Sequence, residues 1–135
     1  MGGWPTSALM TAEPWEAALT SHTSMMVVGP EIVTRIFLEQ LRPWLLRPVI
    51  SVSCDQSLPL AGLGSGGTLV LHGIDALSLH DQYKLMNWLE HADGGTSVIS
   101  TSAQPLLPRI EEGNFLGALY YRLNTLYVEV PSLTR

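Results

Sequence analysis

The run Gly66-Gly67-Thr68-Leu69-Val70-Leu71-His72-Gly73-Ile74 constrains the fold more than any other part of the chain. Two glycines and a threonine lead into an unbroken apolar stretch at 69–71, and a polar residue and a third glycine end it. Such a run reads as a short buried strand. Similar runs recur along the chain and alternate with helical patterns, which predicts an α/β architecture with a mostly parallel sheet.

Met25-Met26-Val27-Val28 predicts a strand ended by Gly29-Pro30. A helix is expected over 31–41, with Ile32, Ile36, Phe37 and Leu41 facing the sheet and Arg42-Pro43 ending it. Val49-Ile50-Ser51-Val52-Ser53 is the second strand and 68–71 the third. Between them, 55–67 reads as a loop rich in Ser, Gly, Leu and Pro. Ser78 is placed to cap a helix over 79–91 that buries Leu85, Met86 and Leu89, with Trp88 on its flank and Asp93-Gly94-Gly95 closing it. A fourth strand follows at 96–100 and a short helix from Leu106 to about Gly113. Asn114 is expected to cap a last helix carrying Phe115, Leu119, Tyr120 and Leu123, and the fifth strand spans 126–130 before Pro131. A further short helix over 8–20 uses Leu9, Ala12, Ala17 and Leu19, with Pro14 in its first turn or interrupting it. The expectation is one domain, 1–135, with a five-stranded sheet between helical layers.

Charged residues make up only 14% of the chain against 46% hydrophobic, so some surface is expected to be covered by a partner. The net charge is −5 and Lys84 is the one lysine, which argues against direct binding to a nucleic-acid backbone. Cys54 is the one cysteine, excluding an internal disulfide and fitting a reducing compartment. No apolar run approaches the ~20 residues of a membrane span, and the N-terminus does not read as a signal peptide. A cytoplasmic location is expected.

Several blocks in order resemble the AAA+ domain of sigma-54-dependent transcription activators. The 66–74 run is similar to the family's Walker B strand, GGTLFLDEI. Gly3-Trp4-Pro5-Thr6-Ser7-Ala8-Leu9-Met10 is loosely similar to the segment that precedes the first strand. Val49 to Cys54 resembles FVAVNC, and Leu77-Ser78-Leu79-His80-Asp81-Gln82-Tyr83-Lys84-Leu85-Met86 resembles L-P-L-x-x-Q-x-K-L-L. Residues 97–103 align with the strand that ends in A-A-T-N. Phe115-Leu116-Gly117-Ala118-Leu119-Tyr120-Tyr121-Arg122-Leu123-Asn124 resembles F-R-x-D-L-Y-Y-R-L-N, with Tyr120 to Asn124 the most specific local match. The resemblance implies a P-loop-NTPase-like, three-layer fold whose family members bind ATP and magnesium.

The departures fall on the catalytic positions. A phosphate loop needs G-x-x-x-x-G-K-[ST], whereas Gly29-Pro30-Glu31 runs straight into the helix without the lysine or the second glycine. Pro30 lacks an N–H, and Glu31 puts negative charge where a phosphate would sit. His72 and Gly73 stand where the family has the two Walker B acids, which hold magnesium and polarise water. Ala103 aligns with the sensor asparagine, and Leu116 with the first of two arginines, leaving Arg122. Between the positions of Cys54 and Gly66 family members place a helix, together with the GAFTGA loop that grips sigma-54, whereas here only a short linker joins the two. The chain stops at 131–135, where the family continues into a helical lid and a DNA-binding domain, so direct remodelling of sigma-54 polymerase is not expected.

Other residues invite sharper readings. His72 and His80 with Asp75 suggest a metal site, but without the spacing of a helix-borne pair the ordinary reading is a polar residue filling a vacated position. Cys54 with His22, His72, His80 or His91 suggests a nucleophile and base, against a structural strand-end thiol. Arg122 resembles an arginine that looks toward a neighbouring subunit's nucleotide, against a cation bound to helix-end carbonyls. Trp44, in the Pro43–Pro48 connection, is open between core and interface, and Tyr121 joins Arg122 as a candidate interface residue.

Gly29, Glu31, His72, Gly73, Ala103 and Arg122 are thus expected as vestigial nucleotide-site positions, with no catalytic residue, metal or bound ATP. The expected function is an inactive AAA+-like module acting by protein contact in bacterial transcription control, pairing with itself or with an intact AAA+ activator. The alternatives are a nucleotide binder or ATPase with a non-standard site, and a non-functional remnant of a sigma-54 activator.

Overall fold

The computed structural model describes residues 24–56, 58, 60, 66–91 and 96–131. The helix expected over 8–20, the segment Gly3 to Met10, most of the 55–67 loop and the Asp93-Gly94-Gly95 stop lie outside the described residues.

Five strands form one sheet: β1 Met25–Val28, β2 Val49–Ser53, β3 Thr68–His72, β4 Ser97–Ser102 and β5 Leu126–Glu129. Their order is β2-β3-β4-β1-β5, and every pairing is parallel. β1, β3 and β4 are flanked on both sides and their residues are almost all buried. The edge strands β2 and β5 are half exposed. Apolar continuity at 25–28 and 69–71 follows from that placement, because helices cover both faces of a parallel sheet.

Helix α1, Glu31–Leu41, covers one face. Its Val33, Phe37, Leu38 and Leu41 pack with Met25, Val27, Val70, Ile99 and Val128. Complete burial of a phenylalanine such as Phe37 contributes ~1.5–3 kcal/mol. The opposite face carries Met26, Val28, Val52, Leu69, Leu71 and Val98, against helix α2, Leu79–His91, and helix α4, Gly117–Leu123. β1 crosses leftward to β2 through α1, whereas β3 to β4 and β4 to β5 cross rightward over the other face. Right-handed crossovers require that division. Leu58 and Leu60, from the 55–67 linker, are buried on the α2 and α4 face.

Some local expectations are corrected. Ile32 does not face the sheet but is 68% exposed. The inward stripe is 33, 37, 41 with 34 and 38, one position round the helix, and Thr34 joins it because its hydroxyl donates to the Glu31 carbonyl at 2.9 Å. Met86 and Trp88 are half-buried, while Gln82 sits fully inside. Asn114 does not cap α4, whose N-cap is Leu116. It belongs instead to the end of α3, Leu107–Glu111. Gly113, with φ 82°, donates to Ile110 O, and Asn114 N donates to Arg109 O, which together form a Schellman ending. The Ser78 cap does form, since its hydroxyl accepts the Asp81 N–H at 3.1 Å.

Candidate functional site

The strand order reverses between β4 and β1, and ligands of open α/β sheets bind beyond the strand C-termini at such a point. A cavity of about 210 Å³ lies there, lined by Gly29, Glu31, Thr34, Arg35, Ser53, Asp55, His72, Gly73, Asp75, Ala76, Thr101, Ser102 and Ala103. It is smaller than the ~300 Å³ at which small-molecule pockets begin. Gly29, Glu31, His72, Gly73 and Ala103 all line it. Arg122 is not among them.

The β1–α1 turn has two residues, Gly29 and Pro30. The Gly29 N–H donates to Ser102 O at 3.0 Å, so it continues the sheet rather than facing the cavity. A Cβ on Gly29 would stand 2.5 Å from Val130 Cγ2 and 2.6 Å from Val130 O, so the close approach of the segment after β5 itself demands glycine there. Pro30 is the N-cap of α1 and supplies no side-chain cap, and Glu31 occupies the first helical turn. Its carboxylate accepts from Arg35 Nη2 at 2.9 Å and Nε at 3.2 Å.

At the end of β3, His72 is half-buried. Burial, followed by the Arg35 guanidinium, holds its imidazole below the ordinary 6.5, and Glu31 only partly opposes this. Gly73 has φ 75°, the left-handed region, and its N–H donates to Thr101 Oγ1 at 2.9 Å. The following turn of 3-10 helix, Ile74–Ala76, is held by the Arg109 guanidinium bonding to the Asp75 carbonyl. Ser53 Oγ donates to Asp55 Oδ1 at 2.7 Å, and Ser102 Oγ donates to Gln104 O at 2.6 Å.

Cys54 is buried beside this end of the sheet, and burial with the nearby Asp75 pushes its thiol up to about 12. Such a thiol stays protonated and is a poor nucleophile at neutral pH. Among the described residues no three His, Cys, Asp or Glu side chains are grouped to hold a metal. Arg122 Nη2 donates to Leu89 O at 2.8 Å, in the last turn of α2. Tyr121 is 70% exposed and Trp44 46% exposed. Trp44 closes the 3-10 turn Arg42–Trp44 that leads away from α1.

Sequence reasoning passed over Arg35, Thr34, Asp55, Thr101 and Ser102. Arg35 had a visible signal, its spacing of four from Glu31 on one helix face. The others are gathered only by the sheet order.

His72 makes a pH prediction. Its pKa is near 6.5 unfolded and lower when folded, so below about 6.5 the unfolded chain binds a proton that the folded chain does not. Stability is expected to fall as pH drops from neutral through that window, and to level off below the folded-state value. Urea midpoints across the range, compared with His72→Asn, should show a shallower loss in the variant; identical profiles would remove His72 as the cause.

The architecture is that of a P-loop NTPase-like α/β domain. NtrX from Brucella abortus, in a crystal structure with ATP, superposes with a TM-score of 0.74 at 21% identity, over 98% of this chain and 37% of that one. The P-loop NTPase domain of a sigma-54 transport activator from E. coli gives 0.70 at 16% identity, over 98% and 99%. The Sigma-54 interaction domain profile matches residues 20–133, and the chain belongs to that family, found in bacterial transcription regulators. Curated relatives include the pathogenicity-locus regulatory protein WtsA of Pantoea stewartii, 38% identical over 80 residues, and the transcriptional regulatory protein TyrR of Haemophilus influenzae, 38% identical over 79. These matches take in 51% and 50% of this chain but only 25% and 24% of the relatives' lengths. Among the described residues no helix is long and apolar enough to cross a membrane.

Proposed function

We propose that this domain is a catalytically inactive AAA+ module that works by protein contact in bacterial transcription control. The β1–α1 turn carries the reading. A phosphate cradle needs several free amides at a helix N-terminus. Here one of the two turn residues bonds its N–H to Ser102 O, the other is proline, and a carboxylate follows. His72 and Gly73 at the end of β3 offer no carboxylate for magnesium, and Ala103 offers no polar sensor. What survives is the sheet, its covering helices and an exposed surface that includes Trp44 and Tyr121. A second copy, or an intact AAA+ relative, is the proposed partner.

Calorimetric titration with ATP and ADP in the presence of magnesium is expected to show no binding. His72→Asp with Gly73→Glu is expected to leave both binding and hydrolysis undetected, since the phosphate cradle is still missing. The double change should also lower stability by ~1–2 kcal/mol, because the new glutamate side chain would inherit the φ of 75° that Gly73 adopts. Stoichiometric nucleotide binding by the unaltered chain would overturn the inactive reading.

A further inference from the structure

The two edges of the sheet differ in a way that bears on partner choice. Thr68 N–H donates to Pro48 O and Cys54 N–H donates to His72 O. In a parallel ladder this alternation directs the main chain of Ile50 and Val52 toward β3 and turns that of Val49, Ser51 and Ser53 to the free side. No described residue pairs with those outward groups. Proteins ordinarily blunt such an edge with charge, proline, a bulge or a covering segment. β2 reads VISVS, uncharged and without proline. β5 is guarded: its outward residues are Tyr127 and the charged Glu129, bonded to each other at 3.1 Å.

We propose that β2 is a self-pairing edge, through which two copies of this chain join antiparallel about Ser51 into one continuous sheet with five strands from each. In that register Ser51 stands opposite Ser51, and Val49 of each copy stands opposite Ser53 of the other. The outward groups then make about six main-chain hydrogen bonds across the two-fold axis. Ile50, 38% exposed, comes opposite Val52 and gains a β-branched cross-strand neighbour.

Charge selects the partner and the direction. Arg47 precedes the strand and Asp55 follows it, both exposed. Beyond the strand ends, the same two-fold brings the Arg47 end of each copy to the Asp55 end of the other, so that opposite charges meet at both ends of the junction. A parallel pairing would instead set arginine on arginine. A foreign strand has no built-in match to this pattern, whereas a second copy supplies it by symmetry.

The proposal rests on the protein-contact part of the functional reading, and its test does not involve nucleotide. Nucleotide binding by a dimer would overturn the inactive site and leave edge pairing standing. Sedimentation and light scattering of the full chain should give twice its 14.7 kDa mass at tens of micromolar. Ser51→Lys places like charges face to face at the axis and is expected to weaken the dimer by about tenfold or more, with an unchanged circular dichroism spectrum. Ser51→Thr should retain it. Arg47→Asp and Asp55→Arg should each weaken the dimer, and the two together should recover it, which holds the proposal testable even if Ser51→Lys folds poorly. A chain that stays monomeric at about 100 µM, or a dimer indifferent to Ser51→Lys, overturns the proposal. A double charge reversal no stronger than the single changes overturns the antiparallel register.

Discussion

Gly67→Ala is expected to lose ~3–5 kcal/mol of stability, a large share of what a domain of this size holds. Gly67 has φ 74°, which alone costs an L residue ~1–2 kcal/mol. The larger part is steric. A Cβ there would stand 2.2 Å from Pro48 O and 2.8 Å from Pro48 N and Cδ. Pro48 O and N belong to the main chain and Cδ to the ring fused to it, and this contact is held on both sides, since Pro48 O accepts from Thr68 N and Gly67 O accepts from Ser97 N, each at 2.9 Å. Moving either one disturbs the start of the β2–β3 or the β3–β4 ladder. Gly113→Ala is the matched control: its φ is 82°, but nothing lies within 4 Å of an added Cβ, so only the backbone strain of ~1–2 kcal/mol is expected. Urea unfolding of the two variants separates strain from collision. Equal losses would show that the Pro48 contact relaxes freely.

That comparison also shows what the chain's pattern conveys. The glycine pair before β3 was legible as punctuation, and the resemblance marks Gly66-Gly67 as a family feature. The reason for the second glycine lies 19 residues upstream at Pro48, where no local rule reaches. Strands were legible wherever burial on both faces leaves an apolar run, as in β1 and β3. β4 was legible as a strand as far as Ser100, but it runs on through the buried polar pair Thr101 and Ser102, which the pattern did not assign to it. Composition failed at Ile32: an isoleucine next to the inward stripe reads as core, yet threonine at 34 is inside because its hydroxyl is satisfied within its own turn. Asn114 failed for a related reason, since a good N-cap type was already engaged in ending the preceding helix.

The site divides in the same way. Gly29, His72, Gly73 and Ala103 each follow the C-terminal end of a strand or sit on it, so knowing the strands and their order is enough to gather them. Arg35 and Glu31 stand one helical turn apart and complete the cavity wall from α1. Arg122 belongs elsewhere, at the carbonyl end of α2, which no strand-end rule would indicate. The electrostatics follow from this assembly. The one guanidinium among the lining residues is already paired with Glu31 and shares the cavity with Asp55, Asp75 and a histidine whose pKa burial lowers, so little positive charge is left free there.

Gln82→Met is expected to cost ~3–5 kcal/mol although it keeps the side-chain volume. Gln82 is fully buried and uses both ends of its amide. Nε2 donates to Leu77 O at 3.1 Å and to Asn114 O at 3.0 Å, and Oε1 accepts the Leu116 N–H at 2.8 Å. It thereby ties the approach to α2 to the connection between α3 and α4, across 32 to 34 residues of chain. Methionine would strand two acceptors and a donor, each costing ~1–3 kcal/mol when left buried without a partner. Gln82→Glu should separate hydrogen bonding from packing. Its carboxylate keeps the bond from Leu116 but faces two carbonyls, so the folded-state pKa rises above the unfolded ~4.3. The sign follows directly: the unfolded chain gives up the proton first, so the deficit grows as pH rises above ~4.3 and shrinks toward acid, where the protonated carboxyl can donate to one carbonyl. Thermal unfolding of both variants against pH reads this out. A flat difference between Gln82→Glu and Gln82→Met would mean that water reaches the amide and that the three bonds contribute little.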